Sequence, residues 1–481
     1  MALHEKSLDG ALWIFIDLLV NKASFFIATI VLANLLGPEE FGLLGLITIF
    51  FTIGNTLLDS GLSTSLLRLK NLEDDDYSTV YILNVFLALL IYFIFFLLSP
   101  FIAGFYNQEI LENLIKVYCL GFIFNSFRVV QNTILIKNLN FRKITLYNAP
   151  GNILSFILSI WMANNGYKVW SIVALFLINQ VIATIVFTLL SDWKPKLRFS
   201  KSKAKYHFNF GYKLMLSTQL NIIFDNVYNT IIGKFYDIKT LGFYERAYTL
   251  NSYPNQIITS IFSKLSLPIL ANLSDNKIQM AIVYRKIVLM AFFISAPLMI
   301  GIMVLAKPIF IMILGKEWLE AVPFFKILCL AFMFYPIHSL NINLLSIFGK
   351  SNLFLRLEII KKVLISIVVT ISFYYGITIL IWSNVFVSVA ALFINAYYND
   401  KLISYSAFKQ AKDMLPILCI SSIMGILMHF CLKYIFVGNN ELFQLVFISI
   451  IGIAAYISIF IFLRNETLKN ILSILKIKSI L

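Results

Sequence analysis

At 481 residues, the chain is 60% hydrophobic and only 13% charged, where a soluble protein of this size carries about 25% charge. Mean hydropathy is +0.85, and apolar runs recur from Ala11 almost to the C-terminus without a soluble domain between them. The composition excludes a soluble enzyme and implies an all-α polytopic membrane protein, so the net charge of +15 needs no nucleic acid to explain it.

In chain order, fourteen stretches reach the roughly 20 residues that a membrane-crossing helix needs. They lie at 11–36, 41–67, 78–105, 112–136, 145–163, 169–191, 208–233, 242–270, 286–314, 320–348, 353–375, 378–398, 414–436 and 441–463. The first run is too long for a signal peptide and shows no small-residue cleavage site, so no separate leader is expected. It carries Asp17, Asn21 and Ser24 at spacings of 4 and 3, which gives it a polar face. Glu73, Asp74, Asp75 and Asp76 stand before the third stretch. Such a run suits the free N–H groups of a helix N-terminus; the alternative is a metal site like the acidic pairs of glycosyltransferases. Pro150-Gly151, Pro254, Pro297 and Pro336 fall inside stretches, as kinked membrane helices allow.

The most basic connection, Lys194 to Lys205, separates the sixth stretch from the seventh. It divides the chain into an N-terminal six-helix lobe (1–193), a basic cytoplasmic linker (194–207) and a C-terminal six-helix lobe (208–400). Residues 401–481 then form two additional transmembrane helices and a cytoplasmic tail. An even number of spans gives both lobes one orientation. Repeats of that kind are related by an axis along the membrane normal, and the substrate site lies between them.

The seventh stretch organises the rest. Thr218, Asn221, Asp225 and Asn229 recur at spacings of 3, 4 and 4, on one face of a helix. An ionised side chain at the bilayer centre costs about 2.5–3.5 kcal/mol on insertion scales, so this stripe should face a water-filled cavity or another helix. A structural polar seam between packed helices is the rival role. Shifted by 200 residues, 233–243 falls on 33–43. Both segments end one span, turn, and restart with a Gly at 42 or 242.

Lys and Arg on alternate connections divide twenty-four to five, which places both termini in the cytoplasm. The basic face lies against anionic membrane lipid. Cys119, Cys329, Cys419 and Cys431 lack the spacing of a metal or disulfide framework. Gly349-Lys350-Ser351 resembles the end of a phosphate-binding loop, but position 344 is Leu where that motif needs Gly. His338 and His429 stand alone in apolar stretches and read as core histidines rather than zinc ligands.

Three stretches carry a family resemblance. They are LANLLGPEEFGLLGL (32–46) with LLDSGLSTSLLRLKNLEDDDYSTVYILN (57–84), YNTIIGKFYDIKTLGFYERAYTL (228–250), and NGYKVWSIVALFLINQ (165–180). Their order and spacing resemble the polysaccharide-unit flippases, exporters of O-antigen, colanic-acid and teichuronic-acid type. That family belongs to the superfamily of multidrug, oligosaccharidyl-lipid and polysaccharide transporters. The resemblance implies a two-lobe fold like that of the multidrug exporters. It also implies a bacterial inner-membrane location and a substrate of the undecaprenyl-diphosphate-linked oligosaccharide type. Polysaccharide polymerase and assembly proteins are the implied neighbours.

A sugar diphosphate needs a polar cavity to replace its hydration. Lys22, Arg128 and Arg246 are the cationic candidates within stretches to bind it, with Asn221 and Asn229 beside them. Snorkelling to an interface is the competing role, and it is favoured for Lys213, Lys307, Lys361 and Lys362. Drug-exporting relatives of the superfamily couple to Na⁺ or H⁺, and Asp17 and Asp225 are the candidates for that; charge pairing with Lys22 or Arg246 is the alternative. No other cofactor is expected. The alternatives are a multidrug antiporter or a flippase for the peptidoglycan lipid precursor. A membrane glycosyltransferase or polymerase should carry a sizeable external loop with acidic residues, whereas the external loops here are only a few residues long.

Overall fold

The computed structural model describes residues 23–462 except 60, 70, 71, 197, 437 and 439, and no strand occurs among the described residues. Chain contacts group it into two units, Met1–Gly242 and Phe243–Leu481. The first unit contains α1 (Ala23–Leu35), α2 (Pro38–Asp59), α3 (Leu62–Arg68), α4 (Asp74–Tyr106) and α5 (Ile110–Tyr118). It continues with α6 (Leu120–Lys137), α7 (Phe141–Asn164), α8 (Val169–Leu190), α9 (Lys201–Asp225) and α10 (Val227–Phe235). Helix α11 (Ile238–Ala271) carries the chain into the second unit. There follow α12 (Lys277–Val304), α13 (Ala306–Ile313), α14 (Val322–Phe332), α15 (Tyr335–Ile347) and α16 (Ser351–Phe373). The last are α17 (Ile377–Ala396), α18 (Asn399–Ile403), α19 (Ala407–Phe430) and α20 (Glu441–Phe462).

Every stretch expected to cross the membrane falls mainly on helix where it is described, with short breaks inside several. Nine helical segments among the described residues are both long and apolar enough to span a bilayer. The chain is a multi-pass membrane protein. Of the remaining stretches, the first is described only from residue 23, and its helix is short. The others carry polar residues within the helix: Asn148 and Asn152 on α7, Asn221 and Asp225 on α9, Glu245 and Arg246 on α11, and Arg356, Glu358, Lys361 and Lys362 on α16.

The 200-residue offset holds in the backbone. Helix α1 ends at Leu35 and α2 starts at Pro38, while α10 ends at Phe235 and α11 starts at Ile238. Within the first unit the two restarts touch reciprocally. A Cβ on Gly42 would sit 2.0 Å from the Ile238 carbonyl oxygen, and one on Gly242 would sit 1.8 Å from that of Pro38. Only glycine permits that approach. The seventh stretch departs from expectation in one respect. Its helix breaks at Asn226, whose side chain donates to the Ile222 carbonyl (2.8 Å), so Asn229 lies on α10 and not on the helix that carries Asp225. The tenth stretch breaks at Met333-Phe334 and restarts with Pro336 in the first turn, where its missing N–H costs no helical bond.

The acidic run caps α4. Glu73 and Asp76 form a capping box, the two side chains each accepting from the other's backbone N–H. The basic connection then docks on it. Lys203 Nζ lies 2.7 Å from Glu73 and 2.8 Å from Asp76, Lys196 bonds Asp74, and Arg198 lies 3.7 Å from Asp75. Buried His207 bridges Asp76 (3.3 Å) and Ser65 (2.7 Å). Trp193 packs against Tyr77 and Tyr81 beneath these pairs. The run therefore serves as a helix cap and a dock for basic side chains.

In the second unit, α19 is fastened to α12. Arg285 holds Asp413 through two 2.7 Å bonds, and a Cβ on Gly425 would meet Ile300 Cγ2 at 2.5 Å. Helix α20 packs on α19 at Gly452, where an added Cβ would meet Met428 Sδ at 2.5 Å. Cys119 and Cys329 are buried, and all four cysteines are free. His338 accepts or donates one bond to Ser388 at 3.1 Å within the packed helices.

A candidate anion-binding cavity in the first unit

The site begins with an aromatic floor. Phe51 of α2 stacks on Phe122 of α6 (centroids 4.8 Å apart) and meets Phe176 of α8 edge-on (4.6 Å), while Tyr118 stacks on Phe176 (4.1 Å). Gly54 and Gly121 admit these rings, since a Cβ on either would lie 2.3 or 2.6 Å from ring carbon. Beside this floor α7 and α8 run close. A Cβ on Gly151 would come within 3.1 Å of the Asn179 carbonyl oxygen. Packed helices with fixed rotamers hold polar side chains to a narrow range of positions.

On that frame sits a cavity of about 300 Å³. Its walls take Ser24, Phe25 and Ala28 from α1, Arg128 from α6, and Asn148, Asn152 and Asn179 from α7 and α8. The spacing explains the lining. Asn148 and Asn152 are four residues apart, Ser155 follows at three, and Asn125 precedes Arg128 by three, so each set occupies one helix face.

The half-buried guanidinium of Arg128 is held by three amide oxygens. Its Nη2 donates to Gln180 Oε1 (2.6 Å), Nη1 to Asn148 Oδ1 (3.2 Å), and Nε to Asn125 Oδ1 (3.4 Å). Asn125 in turn donates to Asn55 Oδ1 (2.8 Å), and Asn179 donates to Asn152 Oδ1 (2.6 Å). No carboxylate pairs with Arg128 among the described residues. Amide oxygens orient a guanidinium without cancelling its charge. Three of its five N–H groups are engaged through one contact each, which leaves donor capacity for an oxyanion.

Of the residues singled out from sequence, Arg128 is the one that lines this cavity. Ser24, from the polar face of the first stretch, lines it too. Asp17 and Lys22 lie outside the described residues. On α9, Thr218 and Asp225 are exposed and Asn221 is half-buried; Asn229 is half-buried on α10. None of these four is among the cavity's lining residues. Arg246 belongs to the second unit, where it is buried on α11 at 3% exposure. Asn55, Asn125, Asn148, Asn152, Asn179 and Gln180 escaped the sequence reading. For Asn148 and Asn152 the signal was their four-residue spacing inside an apolar stretch; the other four stand in apolar stretches without such a spacing.

Comparison with known proteins places this geometry. Residues 31–323 match the family model described as polysaccharide biosynthesis protein. The lipopolysaccharide biosynthesis protein WzxC of Escherichia coli (strain K12) is 24% identical over 331 residues, 68% of this chain and 67% of the relative. The succinoglycan biosynthesis transport protein ExoT of Rhizobium meliloti (strain 1021) is 21% identical over 306 residues, 64% of this chain and 62% of its own. Among solved structures, the inward closed conformation of lipid II flippase MurJ aligns with a TM-score of 0.75 at 19% identity, covering 93% of this chain and 99% of that one. At that identity the likeness is one of fold.

Proposed function

The chain belongs to the family of polysaccharide biosynthesis proteins, and on that premise we propose that it is a flippase. Its cargo is a lipid-linked oligosaccharide of the undecaprenyl-diphosphate type, moved from the inner to the outer leaflet by alternating access for cell-surface polysaccharide. The observation that carries this reading is Arg128, a cation within a membrane helix whose three hydrogen-bond partners are all neutral amides. Holding a charge there costs several kcal/mol on most scales, and a bound phosphate oxyanion offsets that cost. The amides around it supply the paired donors and acceptors that sugar hydroxyls use, and Phe25 and Phe176 supply apolar faces.

The twenty-four to five division of Lys and Arg supports a bacterial inner-membrane orientation with both termini cytoplasmic. A role in transport rather than catalysis fits a chain made of membrane helices joined by short connections. Lobes at 1–193 and 208–400, the linker between them and the additional helices at 401–481 belong to the same proposal. So do Lys22, Arg246, Asn221 and Asn229 as further substrate-binding residues, apart from the lining around Arg128, and Asp17 and Asp225 as carboxylates coupling Na⁺ or H⁺. A polymerase and its assembly proteins are the partners such export would serve.

The experiment is complementation of a strain lacking its own exporter, with surface polysaccharide as readout and membrane abundance as control. Arg128→Ala is expected to abolish export at normal abundance. Arg128→Lys is expected to restore it in part, since Lys keeps the charge and loses the fork. Full export by Arg128→Ala would overturn the assignment.

A further inference from the structure

We propose that a groove in the second unit, between α12, α14 and α19, is a binding site for an anionic phospholipid. The lipid phosphate would sit on Lys326 and His429, with one acyl chain along the apolar floor. The groove encloses about 470 Å³. Its origin is the contact at Gly425, where α19 touches Ile300 of α12. Beside that crossing the helices part, and Ile300, Met303, Leu330 and Leu418 line the opening.

The polarity of the groove is graded. Lys326 lies four residues from the start of α14, about 6 Å along its axis, and His429 is the penultimate residue of α19, so both sit toward one end. Both side chains are exposed. From His429 down to Leu418 is eleven residues, about 16 Å of helix, and the lining there is apolar. Ser422 interrupts it, but its hydroxyl donates to the Leu418 carbonyl of its own helix (2.8 Å) and offers no donor to a ligand.

Lys326 makes no ion pair with any described carboxylate. A cation within a membrane helix lacks a counter-charge from protein here, and the surrounding solvent is lipid. A phosphate ester with hydrocarbon below it complements this arrangement at both ends: the ammonium binds the phosphate as a point charge, and the floor takes the chain. A zwitterionic lipid would add its own cation next to the Lys326 ammonium, so charge complementarity favours the anionic headgroup. This site is independent of the transport cargo and of Arg128.

The test uses the full purified chain in detergent. Native mass spectrometry would follow retention of dioleoyl phosphatidylglycerol against dioleoyl phosphatidylcholine. One phosphatidylglycerol should be retained saturably and in preference. Lys326→Gln should weaken that retention about fivefold, and adding His429→Gln should weaken it further, with phosphatidylcholine unaffected. Met303→Trp, which fills the groove and leaves Lys326 and His429 in place, should remove retention of either lipid. Each variant is checked for an unchanged melting profile, and either variant alone suffices for the test. Equal retention of phosphatidylglycerol by wild type and by the Lys326→Gln, His429→Gln variant would overturn the proposal. So would preferential retention of undecaprenyl phosphate over phosphatidylglycerol, which would assign the groove to the cargo's own carrier.

Discussion

Each unit holds a polar cluster among its packed helices, and the two are built on opposite plans. In the first unit, Arg128 and its ring of amides line an open cavity. In the second unit, Tyr284, Asn341, Asn399 and Gln410 are all fully buried. There the Asn341 Oδ1 accepts from Asn399 (2.7 Å), Gln410 (3.0 Å) and the Tyr284 hydroxyl. That second cluster is neutral and joins α12, α15, α18 and α19 at one point, with Asn341 Nδ2, Asn399 Oδ1 and Gln410 Oε1 left without a partner among the described residues. It can fix helix register, and none of its four side chains is a charged type. The contrast shows what separates a functional polar group from a structural one in a membrane: a retained charge beside a cavity, not polarity as such.

The comparison breaks most readily at Arg128. Replacing it by Met keeps volume and removes the charge. Membrane abundance should hold or rise, since a charge leaves the membrane interior, while export per molecule falls about a hundredfold. That is the loss of roughly two charge-assisted hydrogen bonds to substrate. Export at wild-type level with Arg128→Met would equate the two clusters.

Asn341→Leu is expected to do the reverse. Three buried bonds at roughly 0.6 kcal/mol each amount to about 2 kcal/mol in a membrane protein. A lower melting temperature and lower abundance should follow, with export per surviving molecule unchanged. A selective loss of export would mean that the second cluster also works on substrate.

A finer cut is Gln180→Leu. It removes the shortest of the three amide contacts to Arg128 and leaves the charge in place. Export should fall about tenfold, the scale of one hydrogen bond to a charged group. An unchanged rate would show that the guanidinium needs no such positioning.

The smallest effect belongs to a third cluster, around His207 at the start of α9, and is read through pH. Burial pushes the His207 imidazole below its ordinary value near 6.5, against the opposing pull of Asp76, so it is neutral in the folded protein at pH 7. The unfolded chain then binds more protons than the folded one below about pH 6.5, and stability falls as pH drops through that range. The loss should be about 1 kcal/mol or less, read as a lower melting temperature at pH 5.5 than at 7.5, and His207→Gln should flatten it. Lys203, Glu73 and Ser65 share the site, and His207→Gln isolates the imidazole from them.

Much of the fold was legible because apolar length and helical period are local properties of the chain. Stretches of about 20 residues marked the helices, and the offset of 200 between 33–43 and 233–243 reappears to the residue in where helices end and restart. The capping role of Glu73 to Asp76 was legible for the same reason: a helix start is decided by the few residues around it. The break at Asn226 was not, because an amide that turns back on its own helix looks in sequence like one more member of a polar stripe.

The sequence by itself determined that the protein is helical, crosses the membrane many times and carries Arg128 within an apolar helical segment. Asn125 shares a helix face with Arg128 three residues on, but that Asn148 and Gln180 also meet it was decided by the tertiary structure alone. Asn125, Asn148 and Gln180 come from three helices brought together by packing at Gly54, Gly121 and Gly151. Period reveals which face of a helix is polar. It does not reveal which other face it will meet, because that depends on side-chain volumes summed over every helix in the unit.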